Sequence, residues 1–328
     1  MTDGFVVILS YPDTVVRPAY SEFSSKVWPL FGVGTKHAVQ AGHAALLLIE
    51  KKSGKVEYFD FGRYITSTGY GRVRSKDTDV ELEVPIKAKV ANDEVSNLEA
   101  LLLWLEAHPE KTHGEGRLVA GVNAMVDYQK AKDYIASLLE AKEIAYGAFV
   151  KKGSNCARFV TDTLVNSCVN RSVKAKLKTS NLFTPSPIGN VIKGTTQDKI
   201  YEVFQQKIRV YENRSVLKEY FACFLNKFDR ELNLLGTELP NKTLFDLENG
   251  TWLGGIGSGA WFRIENKVSE RFQIARYAHD GTLEFKGDFK VNDNSFAFCK
   301  TYQFVHPTNC KEAFVVQENK TFLFARIE

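Results

Sequence analysis

Apolar residues along this chain keep two different periods, and the points where the period changes outline its elements. Residues 5–11 form one apolar run, which predicts a first strand. From Pro12 to Gly42, with Pro18 and Pro29 on the way, no period holds; a long ordered loop of this kind borders a cleft. His43-Ala44-Ala45-Leu46-Leu47-Leu48-Ile49-Glu50 then reads as a strand, Lys51-Lys52-Ser53-Gly54 as a turn, and Lys55 to Gly62 as the returning strand of a hairpin. Strict alternation from Asp79 to Val90 (Val80, Leu82, Val84, Ile86, Ala88, Val90) predicts a half-buried strand. Asn92 is then expected to cap a helix whose stripe is Val95, Leu98, Leu101, Leu102 and Leu105. A second helix is expected over about Tyr128–Lys142, and a third after Asn155, with Phe159, Val160, Thr163, Leu164 and Ser167 at helical spacing.

Beyond residue 170 the signals are coarser. The basic run Arg171, Lys174, Lys176, Lys178 reads as a solvated helix end or linker, and Pro185 and Pro187 as a rigid loop that borders the site or marks a boundary. Residues 196 to about 234 read as helical, with a core-facing aromatic stripe of Tyr220, Phe221, Phe224 and Phe228. From Asn249 aromatic residues crowd the chain, and turn signals fall at Asp280-Gly281, Asn292-Asp293-Asn294 and Glu318-Asn319-Lys320. An antiparallel meander forming a small barrel or sandwich is expected, ending in a strand with Phe322 and Phe324 on one face. Gly254-Gly255-Ile256-Gly257-Ser258-Gly259 imitates a phosphate loop, but an extended segment follows it where that motif needs a helix; a glycine-rich turn or bulge is the better reading.

Composition narrows the class. With 328 residues, 44% apolar and 25% charged, the chain has the make-up of an ordinary soluble protein long enough for two domains. A net charge of +4 is too slight to argue for nucleic acid or an acidic membrane surface. No apolar run approaches a transmembrane length and no secretory signal opens the chain. The cysteines at 156, 168, 223, 299 and 310 are odd in number and scattered, which favours reduced thiols and a cytoplasmic setting.

One cysteine stands out. In Gly153-Ser154-Asn155-Cys156, Ser154 or Asn155 is placed to cap the helix, so Cys156 falls in its first turn, where the macrodipole and orphan amides favour a thiolate and an oxyanion. His43 opens the first hairpin. If that turn centres between Lys52 and Ser53, His43 lies opposite Gly62 and one diagonal step from Asp60, close enough for Asp60 to orient the imidazole. A slip of one residue would bring Glu57 to that face instead. A structural histidine at the sheet end and an Asp60–Arg63 pair are the plainer alternatives. His37 with His43, or His108 with His113, lacks a partner at a recognised metal spacing, so no metal or other cofactor is expected.

A glycine-histidine opening a hairpin, followed by an asparagine-cysteine opening a helix, resembles the permuted branch of the papain-like, NlpC-type cysteine hydrolases, in its uncharacterised bacterial groups. The stretches Tyr58 to Tyr64 and Gly69-Tyr70-Gly71-Arg72 are similar to those groups as well. The resemblance implies an α+β fold with an antiparallel sheet packed on helices, Cys156 as nucleophile, His43 as base and Asp60 as the polar third member. Permuted acyltransferase-like members carry a second histidine where this chain has Asp60. The organisation expected is a hydrolase domain over 1–192, a helical connector over 193–240 and a β-rich domain over 241–328. The expected activity is thiol hydrolysis of an amide in a small-molecule or peptide substrate (a peptide, a peptidoglycan-like fragment or a lipid amide), with no nucleic-acid partner and a protein partner for the last domain conceivable. The alternatives are acyl transfer, or a binding protein on the same scaffold without turnover.

Overall fold

The two apolar runs of the first fifty residues become the centre of a sheet, because strands buried on both faces need side chains that give up water on both. The computed structural model describes residues 2–16, 39–212, 215–224, 240 and 245–327. In chain order its elements are β1 (Gly4–Tyr11), β2 (His43–Glu50), β3 (Val56–Gly62), β4 (Tyr70–Arg74), β5 (Val90–Ala91), β6 (Glu94–Val95), α1 (Leu98–Glu106), α2 (Pro109–Thr112), β7 (Leu118–Val126), α3 (Tyr128–Glu140), β8 (Ile144–Ala145) and α4 (Cys156–Ser167). There follow α5 (Arg171–Ser180), α6 (Pro187–Gly194), β9 (Ile200–Phe204), β10 (Lys207–Val210), α7 (Val216–Phe224), β11 (Thr251–Gly255), β12 (Ser258–Val268), β13 (Arg271–Tyr277), β14 (Leu283–Val291), β15 (Gln303–Val305), β16 (Glu312–Gln317) and β17 (Lys320–Arg326).

The fold is α+β. An eight-stranded sheet runs β10-β9-β7-β1-β2-β3-β4-β8, with every pairing antiparallel. On one face Val6, Ile8, Leu46, Leu48, Phe59 and Phe61 pack against α3, α4, α5 and α6. On the other, Phe5, Val7, Leu9, Leu47 and Tyr58 pack against α1 and the extended stretch before it. A seven-stranded antiparallel sheet, β11-β12-β13-β14-β17-β16-β15, builds the second domain around Phe262, Phe272, Phe289, Phe304, Phe322 and Phe324. It curls until the Phe304 amide of β15 reaches the Thr251 hydroxyl of β11 at 3.2 Å.

Three expectations need correction. The 79–90 alternation is real as burial, with Leu82 and Ala88 inward and Glu83, Lys87 and Lys89 outward, but it is no ladder strand. Val80–Leu82 is a 3₁₀ turn, Pro85 carries no N–H to donate, and pairing resumes only at β5. Asn92 does not cap α1. With Asp93 it takes the left-handed conformation in the β5–β6 turn (φ 51° and 61°), and Asn97 occupies the cap position. The helical connector expected over 193–240 instead contains the β9–β10 hairpin, which extends the large sheet beyond β7; among its described residues only the last two of α6 and Val216–Phe224 are helical. Phe221 is exposed rather than core, and Phe228 lies outside the described residues.

The glycine-rich segment is a hairpin turn, as expected: β11 pairs with β12 around Ile256-Gly257, with Gly257 at φ +69°. It also docks the two domains, since the Ile256 amide donates to the Arg63 carbonyl at 2.7 Å. Nearby, the Cys310 amide donates to the Thr78 carbonyl at 3.0 Å and Arg276 pairs with Glu81 at 2.9 Å.

Candidate active site

β2 and β3 pair with Ala45 opposite Asp60 and Leu47 opposite Tyr58, the register expected from a turn centred between Lys52 and Ser53. Continued by two residues, it sets His43 opposite Gly62 and diagonal to Asp60. The His43 Nε2–H donates to Asp60 Oδ2 at 3.3 Å. Glu57, the alternative third member, is on the opposite face, where it accepts from Tyr128 and pairs with Lys55 and Lys132. Nor does Asp60 pair with Arg63. Its partner is Arg74, directly across on β4, which donates from Nε to Oδ1 at 3.0 Å and from Nη2 to Oδ2 at 2.6 Å.

Two phenols complete the shell: Tyr58 and Tyr64 both donate to Asp60 Oδ2, at 3.0 and 2.9 Å. Tyr64 also lies 3.5 Å from His43 Nε2, and the Arg74 guanidinium stacks over its ring at 3.6 Å. Tyr11, across from His43, stacks on the imidazole with centroids 6.3 Å apart. His113 packs on the far side of Tyr64 at 5.0 Å. Sequence reasoning missed Arg74, Tyr58 and Tyr64. An arginine at an inward position of a short strand beside the Asp60 strand was the available signal.

The nucleophile candidate arrives from the helical layer. Asn155 is the N-cap of α4, its Oδ1 accepting the Arg158 amide at 2.8 Å. The loop before it is tied to β8, with the Ser154 amide donating to the Ala145 carbonyl at 2.9 Å and the Gly147 amide to the Ser154 carbonyl at 3.0 Å. Arg158 pins the same loop by donating to the carbonyls of Gly153 and Ala148, at 3.1 and 2.8 Å. Cys156 is thus the first residue of α4, as His43 is the first of β2, and the two first residues meet at the end of the sheet. There the imidazole is hydrogen bonded to Asp60, and Cys156 lies near enough to raise its basicity.

Electrostatics follow from this packing. Burial pushes His43 down, but its hydrogen bonds to Asp60 and Cys156 and the negative charge beside it outweigh that, raising it from 6.5 to about 9. The ring is therefore an imidazolium at neutral pH. Burial works against the Asp60 carboxylate, yet the Arg74 charge and the His43 hydrogen bond hold it well below the usual carboxylate range. Tyr58 and Tyr64 are pushed well up, chiefly by burial. His113, buried and beside Arg74, is pushed down to about 3 and stays neutral. Exposure separates roles within the cluster: His43 and Cys156 each retain 8% of their surface, Asp60 and Arg74 0% and 1%. The cysteine and histidine thus keep a little surface beside a closed carboxylate–guanidinium pair.

Of the histidines in the pairs weighed for a metal, His37 lies outside the described residues, and His108 donates from Nδ1 to the Trp104 carbonyl at 2.7 Å. Among the described residues, no three His, Cys, Asp or Glu side chains are grouped to hold a metal ion. Nor is any described helix long and apolar enough to cross a membrane.

A helix-borne cysteine meeting a histidine and an aspartate of an antiparallel sheet defines an α+β protein with a cysteine–histidine–aspartate cluster. Residues 6–173 match the model of the type VI secretion system effector TseH-like family, so the chain belongs to that family. Residues 250–327 match the DUF6695 C-terminal domain model. The solved structure of the type VI secretion system effector TseH is similar to this chain at 17% identity and a TM-score of 0.39, covering 64% of this chain and 99% of that one. No curated protein sequence matches.

Proposed function

We propose that this protein is a papain-like thiol hydrolase, with Cys156 as nucleophile, His43 as base and acid, and Asp60 orienting the ring. The observation that supports it is an imidazole hydrogen bonded to a buried carboxylate, with a helix-start cysteine near enough to bear on its charge. In this reading sulfur attacks an amide carbonyl, and the orphan amides of the first turn of α4 stabilise the oxyanion. His43 protonates the leaving amine, and water then releases the acyl group with His43 as base. The Arg74 guanidinium neutralises Asp60, so the carboxylate orients the imidazolium without drawing its proton away.

Amides in peptides or peptidoglycan-like fragments are the first substrates to examine, ahead of lipid amides and acyl transfer. The family name further suggests export of a protein made in the cytoplasm, its target then lying in whatever compartment type VI secretion reaches. The test pairs a screen of peptide, peptidoglycan-fragment and ester substrates with labelling by iodoacetamide near neutral pH. Wild type is expected to cleave an amide and to label at Cys156 before the other thiols, and Cys156→Ala to do neither. Equal labelling of all thiols in folded protein, with no turnover, would overturn the reading.

A further inference from the structure

The segment Arg63-Tyr64-Ile65 belongs to both domains at once. Arg63 accepts the Ile256 amide at 2.7 Å, and Ile65 is buried in the second domain's core beside Leu253, Ala260, Phe262 and Phe304. Between these anchors Tyr64 turns back into the first domain, donating to Asp60 Oδ2 at 2.9 Å with its ring under Arg74. The contact is tight enough to dictate a residue. A Cβ at Gly255 would lie 1.2 Å from the Tyr64 carbonyl oxygen and 2.1 Å from its carbon, so β11 reaches this backbone only because position 255 is glycine. The glycine-rich motif thus has a use unrelated to phosphate.

We propose that the C-terminal sheet is a positioning element of the active site, and that Tyr64 is the positioning residue through which it acts. The close approach of Gly255, the Ile256 amide and the Ile65 plug fix the backbone around Tyr64, and this sets its hydroxyl on the oxygen that also receives His43. This rests on the cysteine hydrolase reading and deepens it: the last domain is part of how the imidazole is held.

The experiment uses full-length protein as wild type, Tyr64→Phe, Gly255→Ala, Ile65→Ala, Ile65→Val and the double variant Tyr64→Phe/Gly255→Ala. The main readout is the His43 ring titration by NMR. The charged and titratable groups around that ring are Asp60 and Tyr58 on β3, Tyr64 after it, Arg74 on β4, Tyr11 on β1, Cys156 on α4 and His113 beyond Tyr64. Removing the Tyr64 donor leaves Oδ2 more negative, so Tyr64→Phe should raise the His43 midpoint, by roughly two- to tenfold in the protonation constant for one hydrogen bond.

Gly255→Ala and Ile65→Ala should raise it too, Ile65→Val should restore the wild-type midpoint, and the double variant should move no further than Tyr64→Phe. Should Gly255→Ala fail to fold, Ile65→Ala carries the same test. A midpoint left at the wild-type value by Gly255→Ala and Ile65→Ala in folded protein, or fully additive shifts in the double variant, overturns the proposal. If instead wild-type Cys156 alkylates no faster than the other thiols, the hydrolase reading falls, while the midpoint comparison still decides whether the sheet positions Tyr64.

Discussion

β4 sends two arginines to one face, and each grips a buried aspartate: Arg74 takes Asp60, and Arg72 takes Asp79 through two bonds of 2.6 and 2.7 Å. Each cluster also holds a cysteine. At the domain junction, Arg276 pairs with Asp79 at 3.6 Å and donates to Cys310 Sγ at 3.6 Å, so two guanidiniums share the carboxylate and the thiol faces a permanent cation. At the sheet end a single guanidinium serves Asp60, and an imidazole stands between carboxylate and thiol. Cys310 is fully buried and pushed up to about 11 by that burial, despite its arginine. A cation beside a thiol is therefore insufficient. What separates the clusters is a partner that can exchange a proton and a cysteine residue that is not wholly buried.

The sharpest break in this comparison is Cys156→Ala, which should reduce amide hydrolysis at least about 10³-fold, while Cys310→Ala keeps turnover near wild type. Next come the aspartates. Asp60→Asn and Asp79→Asn each leave a buried arginine without its counter-charge, and each should lose about 3–5 kcal/mol in urea unfolding. Only Asp60→Asn should abolish the preferential labelling of Cys156; equal loss in both variants would erase the distinction drawn here.

Proton linkage gives a third test. His43 is raised from 6.5 to about 9, so its contribution is fully present below about pH 6.5 and is lost as pH rises through 9. Wild type should lose on the order of 2–3 kcal/mol across that window, and His43→Gln should show a flatter profile there. His113 has the opposite sign: its pKa is lowered to about 3, so stability falls as pH drops from 6.5 towards 3. The smallest effect belongs to Tyr58→Phe, which removes one of several donors to Asp60 and should cost about 1 kcal/mol with little change in labelling.

The His43–Asp60 pairing and the helix start at Cys156 were legible because each residue sits at an element start or in a short hairpin, where local rules fix position. Asn155 announces a helix, and a four-residue turn fixes the β2–β3 register. Arg74 was not legible, since the segment from Arg63 to Gly69 has no periodicity from which to count the β3–β4 register. Alternation over 79–90 reported burial correctly but could not show that no neighbouring strand pairs there.

The β9–β10 hairpin escaped notice for a different reason. Its turn is Gln205-Gln206, both in left-handed conformation (φ 51° and 58°), where Asn-Gly is the usual signal. Tertiary contacts supply what the residues lack, Glu106 of α1 accepting both turn amides, at 2.8 and 3.2 Å. The second domain was the easier to read, because its tight turns carry their signals in sequence, as at Asp280-Gly281 and Glu318-Asn319.

The strand order of the large sheet has a last consequence, for solubility. An open sheet offers two rows of unpaired peptide groups on which another chain could template. Here one border is β8, only two residues long, and the other is β10, where exposed Lys207 and Arg209 alternate with Ile208 and Val210. A strand too short to template and a strand lined with like charge both resist edge-to-edge association. The apolar centre formed by β1 and β2, the most aggregation-prone stretch of the chain, is thereby kept away from both borders.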